Sequence, residues 1–473
     1  MTIGSKKLGV LAAVAGFVLM VFEIAAARIL APSIGSSTYV WTSVIGVIIM
    51  ALSVGYWAGG RLADKRNNPN DIARLFLALS LTISFAIVLY PAFLESVADW
   101  TIDVRVSAVI ASLVLFAPTS LLAGAVSPYL AKLNVRSLAS SGSAVANPGA
   151  LNSLGGIVGT FLTGFVLFGF MGVRDVMVAL AVGTLVVSWW ARVGRNRRET
   201  IVTVAALLLS LLAWPGSGVL ALDTPSAHYT IEDVTLQGGY TVRTLATGPG
   251  GKQSGIIVGS PSELAFWYTR EIASLIDMQP AKQRIAVLGG GAYTLPAYLA
   301  QKYPDSQIDA VEIDPKLLPI AQEYFEYSPA KNVGHIAMDA RTFINGVKLP
   351  YDIVVVDVFG DDSIPESLMT AEYGRALKRA VTPGGVVIIN AIAGTKGTCL
   401  ELFQAVSRPY LDNFATGYYL PRINDGGRSN IAAAFGSRPN VPSNYTSIGP
   451  AVGPIYTDDY NPTMRVQFAC ERR

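Results

Sequence analysis

The chain has 473 residues, of which 51% are hydrophobic and only 15% are charged, and its mean hydropathy is +0.44. Soluble globular proteins carry about 25% charged residues, so part of this chain is expected to face a solvent other than water. The formal net charge of +3 is too small to indicate a nucleic acid as partner. The few cysteines and histidines lie outside any CxxC pair and predict neither a metal site nor a disulfide framework: Cys399, Cys470, His228 and His335.

Apolar stretches dominate the first half of the chain. Each is long enough to cross a hydrocarbon core about 30 Å thick. They fall at roughly 8–31, 39–60, 73–94, 106–131, 150–171, 173–191 and 200–222. The first stretch follows Lys6 and Lys7 as a signal peptide would, but Glu23 interrupts it and further stretches follow, so a retained helix is predicted. Residues 1–222 are therefore predicted to form a transmembrane bundle of about seven helices.

Basic residues alternate between the connections that join these stretches. They precede the first stretch and follow the second, fourth and sixth. The positive-inside rule then places the N-terminus in the cytoplasm, and seven spans place the C-terminal half outside. A missed re-entrant or eighth segment would return that half to the cytoplasm, so the sequence leaves its side open. The expected localisation is the cell membrane (inner or plasma membrane), with a multi-pass chain.

Three polar residues of the apolar half are candidates for a role beyond anchoring: Glu23, Arg61 and Asp64. Glu23 lies in the middle of the first stretch, where an ionisable group is costly and often functional, although a structural pairing with another helix is the alternative. Arg61 and Asp64 belong to "GYWAGGRLADKR", which resembles the loop after the second helix of major facilitator transporters. The alternative there is an anchor with packing glycines.

Two features predict how the helices pack. In "GGIVGTFLTGF", Gly155 and Gly159 have the small-xxx-small spacing that permits close helix contact. Pro118 and Pro128 are predicted to kink the fourth stretch.

The pattern changes to strands alternating with helices after the seventh stretch. Residues 223–283 contain "HYTIEDVTL", "YTVRTLAT" and "QSGIIVG", which read as short strands of a small β-module. From residue 284 to residue 473, strands and helices alternate as in a parallel sheet covered by helices. The expected fold class is an α-helical multi-span membrane bundle followed by a small β-module and an α/β Rossmann-like domain.

Glycines and acids follow the predicted strands of that domain. Gly289, Gly290 and Gly291 end the first strand and open a helix, where the missing side chains let a nucleoside lie against the backbone. Glu312 closes the second strand about 20 residues later, where an acid typically binds ribose hydroxyls. Asp339 follows the third strand, near the expected adenine. Together they predict a nucleoside site. The sequence has no P-loop lysine, so a triphosphate is not expected as the ligand.

The segment "DVFGDDSIP" follows the fourth strand and is acidic. Its aspartates Asp357, Asp361 and Asp362 could hold a cationic amine or accept a proton from it. An amine is protonated in water, so a base must deprotonate it before it can attack. The alternative is an acidic loop that caps the next helix.

At these motifs the chain resembles a known family. Residues from about 225 to 465 resemble the spermidine synthases, the polyamine aminopropyltransferases, through "GKQSG", the series "GGG", "VEID", "MDAR" and "VVVD", and "YTDDYNP". The first half resembles the membrane portion of fused major-facilitator/spermidine-synthase proteins. The resemblance implies an adenosylmethionine-methyltransferase-type fold, no prosthetic group, and decarboxylated S-adenosylmethionine as the cosubstrate that donates an aminopropyl group to a small amine. Soluble relatives commonly assemble through the β-module region, which implies a homodimer.

The resemblance also assigns roles to individual residues. Asp357 would be the general base, Tyr268 would line the amine channel, and Asp361 would be a second amine-binding acid on a loop one residue longer than in soluble members. The residues that would bind or border the nucleoside are Gln253, Gly289, Gly290, Gly291, Glu312, Asp339, Ala340 and Pro365.

Two positions depart from the family pattern. Ala292 stands where soluble members have an aspartate that helps to hold the amine, and Thr269 stands where they have a histidine after the channel tyrosine. The nucleoside half of the site is therefore better kept than the amine half. A changed acceptor, a membrane-confined acceptor, or a loss of transferase activity follows from these losses.

Three functions stay open from the sequence. The leading one is aminopropyl transfer by an integral-membrane enzyme. The second is methyl transfer from S-adenosylmethionine itself, which a cation beside the donor's carboxylate would favour. The third is a transporter or sensor of polyamines or nucleosides, in which Glu23→Gln would abolish uptake. The acceptor, the donor's decarboxylation state and the oligomeric state cannot be read from the sequence.

Overall fold

The protein is described by a computed structural model that covers residues 4–35, 37–66, 68–98, 103–135, 141–193, 205, 220–224, 226–236, 239–247, 251–358, 365–421, 427–450 and 453–471. The chain divides into two compact units, Met1–His228 and Tyr229–Arg473. The predicted β-module and Rossmann-like domain therefore lie in one unit.

The first unit is a helical bundle. Its elements are α1 (Ser5–Ile34), α2 (Thr38–Arg66), α3 (Asn70–Ala98), α4 (Val104–Leu115), α5 (Ala117–Asn134), α6 (Ser141–Leu162), a wide turn (Thr163–Leu167), α7 (Phe168–Phe170), α8 (Val173–Ala191) and the strand β1 (Leu220–Asp223). Among the described residues, five helices are long and apolar enough to cross a membrane, or six if the bent pair α4 and α5 counts as one span. The predicted seventh stretch lies largely outside the described residues, and its last residues are a strand rather than a helix.

Glycines permit close contact between helices of the bundle, as the spacing predicted. A Cβ added to Gly155 in α6 would lie 1.8 Å from the carbonyl oxygen of Ala13 in α1. A Cβ on Gly159 would lie 2.8 Å from the carbonyl oxygen of Phe17. Side chains at these two positions would force α1 and α6 apart, so the packing prediction is confirmed.

The predicted kink of the fourth apolar stretch is present at its first proline. The helix axis bends by 54° between α4 and α5. Pro118 lies in the first turn of α5, where a proline is tolerated because its missing N–H has no helical acceptor. Pro128 lies inside the same helix.

The second unit begins with an antiparallel meander. Its strands are β2 (His228–Thr235), β3 (Thr241–Ala246), β4 (Lys252–Ile257) and β5 (Ser260–Leu264), each paired with the next along the chain. The first three strands were predicted from their alternating pattern. The pattern did not predict β5, whose segment "SPSEL" carries little strand signal.

The remainder of the second unit is a helix-covered sheet. Its strands are β6 (Arg284–Leu288), β7 (Gln307–Glu312), β8 (Val333–Ala337), β9 (Tyr351–Val356), β10 (Val381–Ala393), β11 (Thr416–Tyr419), β12 (Ser429–Gly436) and β13 (Thr446–Ser447). Its helices, together with one that follows β5, are α9 (Trp267–Met278), α10 (Thr294–Lys302), α11 (Leu317–Tyr324), α12 (Ala340–Gly346), α13 (Ala371–Ala380), α14 (Leu400–Leu411) and α15 (Thr463–Glu471).

The strand order positions the site. Across the sheet the order is β13-β11-β12-β10-β9-β6-β7-β8, with β8, β7, β6, β9 and β10 parallel to one another. The chain winds from β6 to β8 in one direction and then returns to β9 on the other side of β6. This Rossmann-like, methyltransferase-type sheet has its switch point between β6 and β9, the place where such sheets bind ligands.

Cys399 and Cys470 form a disulfide bond, so the expectation against disulfide bonding was wrong. The two residues are 71 positions apart in the chain, but their Cα atoms are only 4.4 Å apart. Cys399 precedes α14 and Cys470 lies in α15, and the packing of these helices brings the sulfurs together. Sequence spacing carries no information about such a contact.

Candidate active site

The switch point joins the ends of β6 and β9. The peptide N–H of Asp357 donates to the carbonyl oxygen of Leu288 at 2.9 Å. Gly289 has a φ of +94°, and a Cβ there would lie 2.2 Å from the carbonyl oxygen of Asp357. Only glycine fits this crossing, because any side chain would both strain the backbone and collide with the neighbouring strand end. The predicted glycine loop and the predicted base thus lie side by side.

The carboxylate of Glu312 holds the glycine loop from the other side. Its two oxygens accept the peptide N–H groups of Gly291 and Asp314, each at 3.0 Å. Burial raises the pKa of Glu312, and these N–H donors oppose the rise. The carbonyl oxygen of Glu312 accepts the N–H of Met338 at 3.0 Å, so the segment after β8 joins the same edge of the sheet.

The meander contacts the glycine loop through β4. The Ser254 hydroxyl accepts the peptide N–H of Ala292 at 3.1 Å, and a Cβ on Gly291 would lie 2.4 Å from the same oxygen. The phenol of Tyr268 donates to the carbonyl oxygen of Gln253 at 2.9 Å. The amide of Gln253 donates to the Thr247 hydroxyl at 2.7 Å. Gln253 and Tyr268, which the resemblance assigned to different halves of the site, are therefore in contact.

Asp357 is half-buried and has one amide partner. The side-chain Nδ2 of Asn390 donates to its Oδ1 at 2.8 Å. Burial raises the pKa of Asp357 to about 6, although the Asn390 donor works in the opposite direction. Burial also raises the pKa of Tyr268 well above its usual range, and the charge of Asp357 adds to that rise. The predicted base therefore has a neutral phenol near it.

The remaining predicted residues take less distinctive positions. Asp339 caps α12 by accepting the N–H of Thr342 at 2.8 Å, and Ala340 is the buried first residue of that helix. Pro365 accepts the N–H of Leu368 at 2.9 Å and begins a short turn. Asp361 lies outside the described residues, so its predicted contact with an amine stays a prediction.

Neither departure from the family pattern supplies an amine ligand. The hydroxyl of Thr269 donates to the carbonyl oxygen of Phe266 at 2.8 Å, within the first turn of α9. Thr269 and Ala292 are both buried. A methyl group at Ala292 has no acceptor to offer, and the Thr269 hydroxyl is occupied.

Several residues of the site were missed from the sequence. Tyr293 adopts a left-handed conformation with φ 58°, and its ring stacks on Tyr327 at a centroid distance of 5.2 Å. The Tyr327 hydroxyl lies 2.6 Å from Nε2 of His335, and burial lowers the pKa of that histidine. Asn390 had one signal, since it is the single polar side chain in the apolar run "VVIINAI".

The polar candidates of the bundle were also placed. Lys132 of α5 binds Asp64 with Nζ 2.7 Å from Oδ1, and the guanidinium of Arg61 lies 3.9 Å from the ring centroid of Trp57. The loop motif therefore braces α2 against α5. Glu23 is half-buried in α1, and no other described residue forms a hydrogen bond or an ion pair with it.

No metal centre accompanies these groups within the described residues. There, no three His, Cys, Asp or Glu side chains are arranged to hold a metal ion.

The second unit is similar in sequence to proteins that are named as transferases. Residues 265–420 match the sequence profile of the spermine/spermidine synthase domain. Over 178 residues the chain is 32% identical to a polyamine aminopropyltransferase of Vibrio vulnificus (strain CMCP6), a match that covers 37% of this chain and 58% of that protein. Over 138 residues it is 32% identical to the human eEF1A lysine and N-terminal methyltransferase, covering 26% of this chain and 20% of that protein.

Part of the chain also aligns with a solved structure. The probable spermidine synthase from Corynebacterium glutamicum ATCC 13032 aligns with a TM-score of 0.41 and 24% identity, over 55% of this chain and 96% of that chain. The sequence match to the Vibrio vulnificus protein spans 58% of that relative, less than two thirds of its length. The C-terminal unit is thus similar to a spermine/spermidine synthase domain, and the match begins at residue 265, after the helical bundle.

Proposed function

We propose that the chain is a membrane-bound transferase that moves the aminopropyl group of decarboxylated S-adenosylmethionine to an amine. The observation that carries this proposal is the position of Asp357, an acid with a pKa of about 6 that touches the glycine loop at the switch point. An acid of that pKa is ionised near neutral pH and can still take a proton when an amine reacts. The match of residues 265–420 to the spermine/spermidine synthase domain supports the same reaction class.

The proposed reaction is a direct displacement. Asp357 takes one proton from the acceptor ammonium, and the freed lone pair attacks the carbon beside the sulfonium. The C–N bond forms as the C–S bond breaks, methylthioadenosine leaves as a neutral thioether, and the positive charge passes to the product nitrogen. Asp357 then returns its proton to solvent. The main contribution of the protein is to position and desolvate two cationic reactants.

The nucleoside side of the site supports binding of the donor. Glu312 is buried and fixed by two peptide N–H groups, so its remaining lone pairs are held ready for the ribose hydroxyls. The glycine loop leaves room for the nucleoside against the backbone. The donor is a cosubstrate in this proposal, and no prosthetic group is required.

A methyltransferase is the second candidate. The observation that favours it is the 32% identity to the human eEF1A lysine and N-terminal methyltransferase over 138 residues. The two reactions differ in the nucleoside that they release, which is methylthioadenosine for aminopropyl transfer and adenosylhomocysteine for methyl transfer.

Mass spectrometry on the purified full-length protein in detergent separates these readings. Both donors are offered with a panel of amines and amine-bearing lipids. Methylthioadenosine that forms only with an acceptor, and is lost in Asp357→Asn but not in the exposed control Asp305→Asn, supports aminopropyl transfer. Adenosylhomocysteine supports the methyltransferase. If neither product forms while the protein still binds the nucleoside, both transferase functions are overturned, and transport or sensing is the remaining function.

The surface of the bundle supports a bilayer as its surroundings. Large apolar side chains are exposed on α2, α6, the wide turn, α7 and α8, among them Trp57, Phe161, Phe165, Phe170 and Trp189. Phe165 is 78% exposed and Phe170 is 86% exposed. Exposed apolar surface on this scale needs a cover, and lipid is the cover that the apolar helices fit. The same proposal includes a small amine as the acceptor, a homodimer as the assembly, and no nucleic acid as a partner.

The basic end of the bundle is defined by contacts between helix ends. Lys7 lies over the ring of Trp190 at 4.9 Å, which joins the start of α1 to the end of α8. Asn70, at the start of α3, exchanges hydrogen bonds with the backbone of Val193. Because the basic loops cluster here, the positive-inside rule assigns this end to the cytoplasm.

The chain leaves the bundle at the opposite end. Asp223 of β1 accepts the peptide N–H of Val173, the first residue of α8, at 2.9 Å. The 19 residues of α8 span about 28 Å, so Asp223 and Val193 are separated by most of a hydrocarbon core. The segment that follows Asp223 therefore starts on the non-cytoplasmic side. The disulfide of the C-terminal unit supports the same side, because such bonds persist in oxidising compartments.

A further inference from the structure

A cavity of about 320 Å³ lies between the β4–β5 hairpin, α10 and the segment that follows α11. Its volume is at the lower end of the range found for small-molecule sites. The cavity adjoins the glycine loop at Ala292, whereas Asp357 contacts the same loop at Gly289. Neither Asp357 nor Tyr268 is among the described residues that line the cavity. The cavity is therefore separate from the proposed transfer centre.

The cavity has an apolar floor and a polar rim. Ile256, Phe325 and Tyr327 form part of the floor, and each of them is at most 6% exposed. Glu326 lies on the exposed rim and is the one carboxylate among the described residues that line the cavity. Methylene groups fit such a floor, and a cationic group near water fits a carboxylate at the rim. The lining is therefore complementary to an organic cation with an aliphatic body.

The negative charge of Glu326 is not neutralised by Arg243. The pKa of Arg243 is raised by its hydrogen bond to Asp233 and, to a smaller extent, by the charge of Glu326. The guanidinium donates to both oxygens of Asp233, at 2.7 and 2.8 Å, so these two residues form a neutral pair. Oε1 of Glu326 accepts the peptide N–H of Gly259 at 3.2 Å. The carboxylate thus keeps its charge and one oxygen for a cationic ligand.

Strained backbone is concentrated around this cavity. Of the non-glycine residues that the structure describes, Tyr293 and Glu326 have a positive φ, at 58° and 52°. This conformation is unfavourable for a residue with a Cβ, and such residues cluster at ligand sites. Glu326 lines the cavity, and the ring of Tyr293 stacks on Tyr327 of the floor at a centroid distance of 5.2 Å. The strain favours a ligand site over a packing void.

The same aromatic stack reaches the glycine loop. A Cβ on Gly290 would lie 3.1 Å from ring atoms of Tyr293, so this ring packs directly against the loop. Ala292 follows the last glycine of the loop and itself lines the cavity. A ligand in the cavity would therefore contact Ala292 directly and Tyr293 through Tyr327. If it binds this arrangement more tightly than others, it shifts the loop towards the conformation on which the nucleoside would lie.

We infer that this cavity is a second ligand site: it binds an organic cation with an aliphatic body, and its occupation stabilises the glycine loop for the nucleoside. The inference goes beyond the proposed function, because it requires nucleoside binding but no group transfer. Primary and quaternary ammonium ions share the chemistry that the lining recognises, and only the primary ions could also be acceptors. By linkage, the nucleoside should tighten the binding of the cation by the same factor.

The test uses hexyltrimethylammonium as the probe, because its nitrogen has neither an N–H group nor a lone pair and cannot accept an aminopropyl group. Isothermal titration of the full-length protein in a nonionic detergent should show saturable binding of the probe. At a saturating concentration of the probe, the Kd for methylthioadenosine should fall about fivefold. Hexylammonium should have the same effect, whereas hexanol should bind about fivefold more weakly than either cation and hexanoate more weakly still.

Two variants locate the binding site. Glu326→Gln removes the charge and keeps the size, so it should weaken the binding of the probe about fivefold and leave that of hexanol unchanged. Ala297→Phe fills the cavity from α10 and should abolish both the binding of the probe and its effect on methylthioadenosine. Ala297→Leu serves in the same assay where the phenylalanine variant does not fold. The matched controls Glu323→Gln and Ala281→Phe make the same changes at exposed positions outside the cavity and should behave like the parent protein.

The outcomes distinguish this inference from the proposed function. The inference is overturned if the parent protein does not bind the probe, or if neither Glu326→Gln nor Ala297→Phe changes that binding. A probe that binds but leaves the Kd for methylthioadenosine unchanged overturns it as well. None of these results affects transfer, which mass spectrometry measures separately. A parent protein that transfers nothing but binds methylthioadenosine overturns the proposed function alone, and one that binds no methylthioadenosine overturns both.

Discussion

Glu312 accepts the peptide N–H of Gly291 at 3.0 Å and so ties the glycine loop to the end of the neighbouring strand. The acid that was predicted to bind ribose thus also holds the loop on which the nucleoside would lie. Both carboxylate oxygens are engaged, because Oε1 accepts the N–H of Asp314. The two tasks are compatible, since each carboxylate oxygen can accept more than one hydrogen bond.

Glu312→Gln should weaken nucleoside binding by at least about tenfold. The amide nitrogen of glutamine would face a peptide N–H, which places one donor against another. The glycine loop would then keep only its hydrogen bond to Ser254. Isothermal titration with methylthioadenosine measures the change in Kd. Glu323→Gln, an exposed residue of α11, is the control and should bind like the parent protein. Equal affinity in both variants would remove Glu312 from the site.

Gly291→Ala should abolish nucleoside binding with little loss of the fold elsewhere. Gly291 has a φ of +52°, and a Cβ there would lie 2.4 Å from the Ser254 hydroxyl oxygen. The loop must shift to admit the methyl group, and its contact with Glu312 shifts with it. Gly346→Ala is the matched control, because no atom lies within 4 Å of an added Cβ at that position. A variant of Gly291 that binds the nucleoside normally would refute the assigned loop.

The sequence predicted the fold well where a single period dominates. The first six apolar stretches coincide with helices, and the strands around Leu288, Glu312 and Val356 were predicted because buried parallel strands are continuous apolar runs. β5 was missed since "SPSEL" has no such run. The disulfide between Cys399 and Cys470 was missed because it depends on tertiary packing.

The candidate site was predictable where its chemistry lies at strand ends. Gly289 and Asp357 lie at the switch point between β6 and β9, and Glu312 ends the neighbouring strand β7, so knowing the strands was enough to place them together. Asn390 was missed because it lies within an apolar strand, where the pattern predicts only burial. Tyr293 was missed because its left-handed conformation has no signature in a tyrosine.

Transfer should depend on a group with a pKa of about 6. Protonation of Asp357 removes the base, so kcat/KM should fall tenfold per pH unit below about pH 6. Asp357→Asn should lose activity at every pH rather than shift the profile. A pH–rate profile of the purified protein measures this limb. A rate that stays level down to pH 4 would exclude Asp357 as the base.

The same residue should destabilise the native protein at neutral pH. The pKa of Asp357 is raised from 3.8 to about 6 in the folded state, so the folded state binds the proton more tightly. Stability from this group is fully present below pH 3.8 and is lost as the pH rises through 6. At pH 8, Asp357→Asn should therefore raise the free energy of unfolding by up to about 3 kcal/mol. The variant should melt at a higher temperature than the parent protein at that pH. The difference should shrink towards pH 4, and a constant difference would contradict the linkage.

The disulfide should stabilise the C-terminal unit. It closes a loop of 71 residues, for which the loss of entropy in the unfolded chain corresponds to about 4 kcal/mol. The double variant Cys399→Ala/Cys470→Ala should melt at a lower temperature than the parent protein. A reducing agent should lower the midpoint of the parent and leave that of the variant unchanged. A parent protein whose midpoint is insensitive to reduction would contradict the bond's role.

The side of the membrane on which the C-terminal unit lies is open to a direct measurement. We propose that the end of the bundle with the basic loops is cytoplasmic, by the positive-inside rule, and Asp223 lies at the other end beside Val173. Asp305→Cys places a thiol on an exposed turn of the C-terminal unit, and Lys65→Cys places one at the basic end. In sealed right-side-out vesicles, a membrane-impermeant maleimide should label the first variant before lysis and the second only after lysis. If only Lys65→Cys is labelled before lysis, the topology is the reverse of the one proposed. If neither variant is labelled before lysis, the C-terminal unit lies in the cytoplasm.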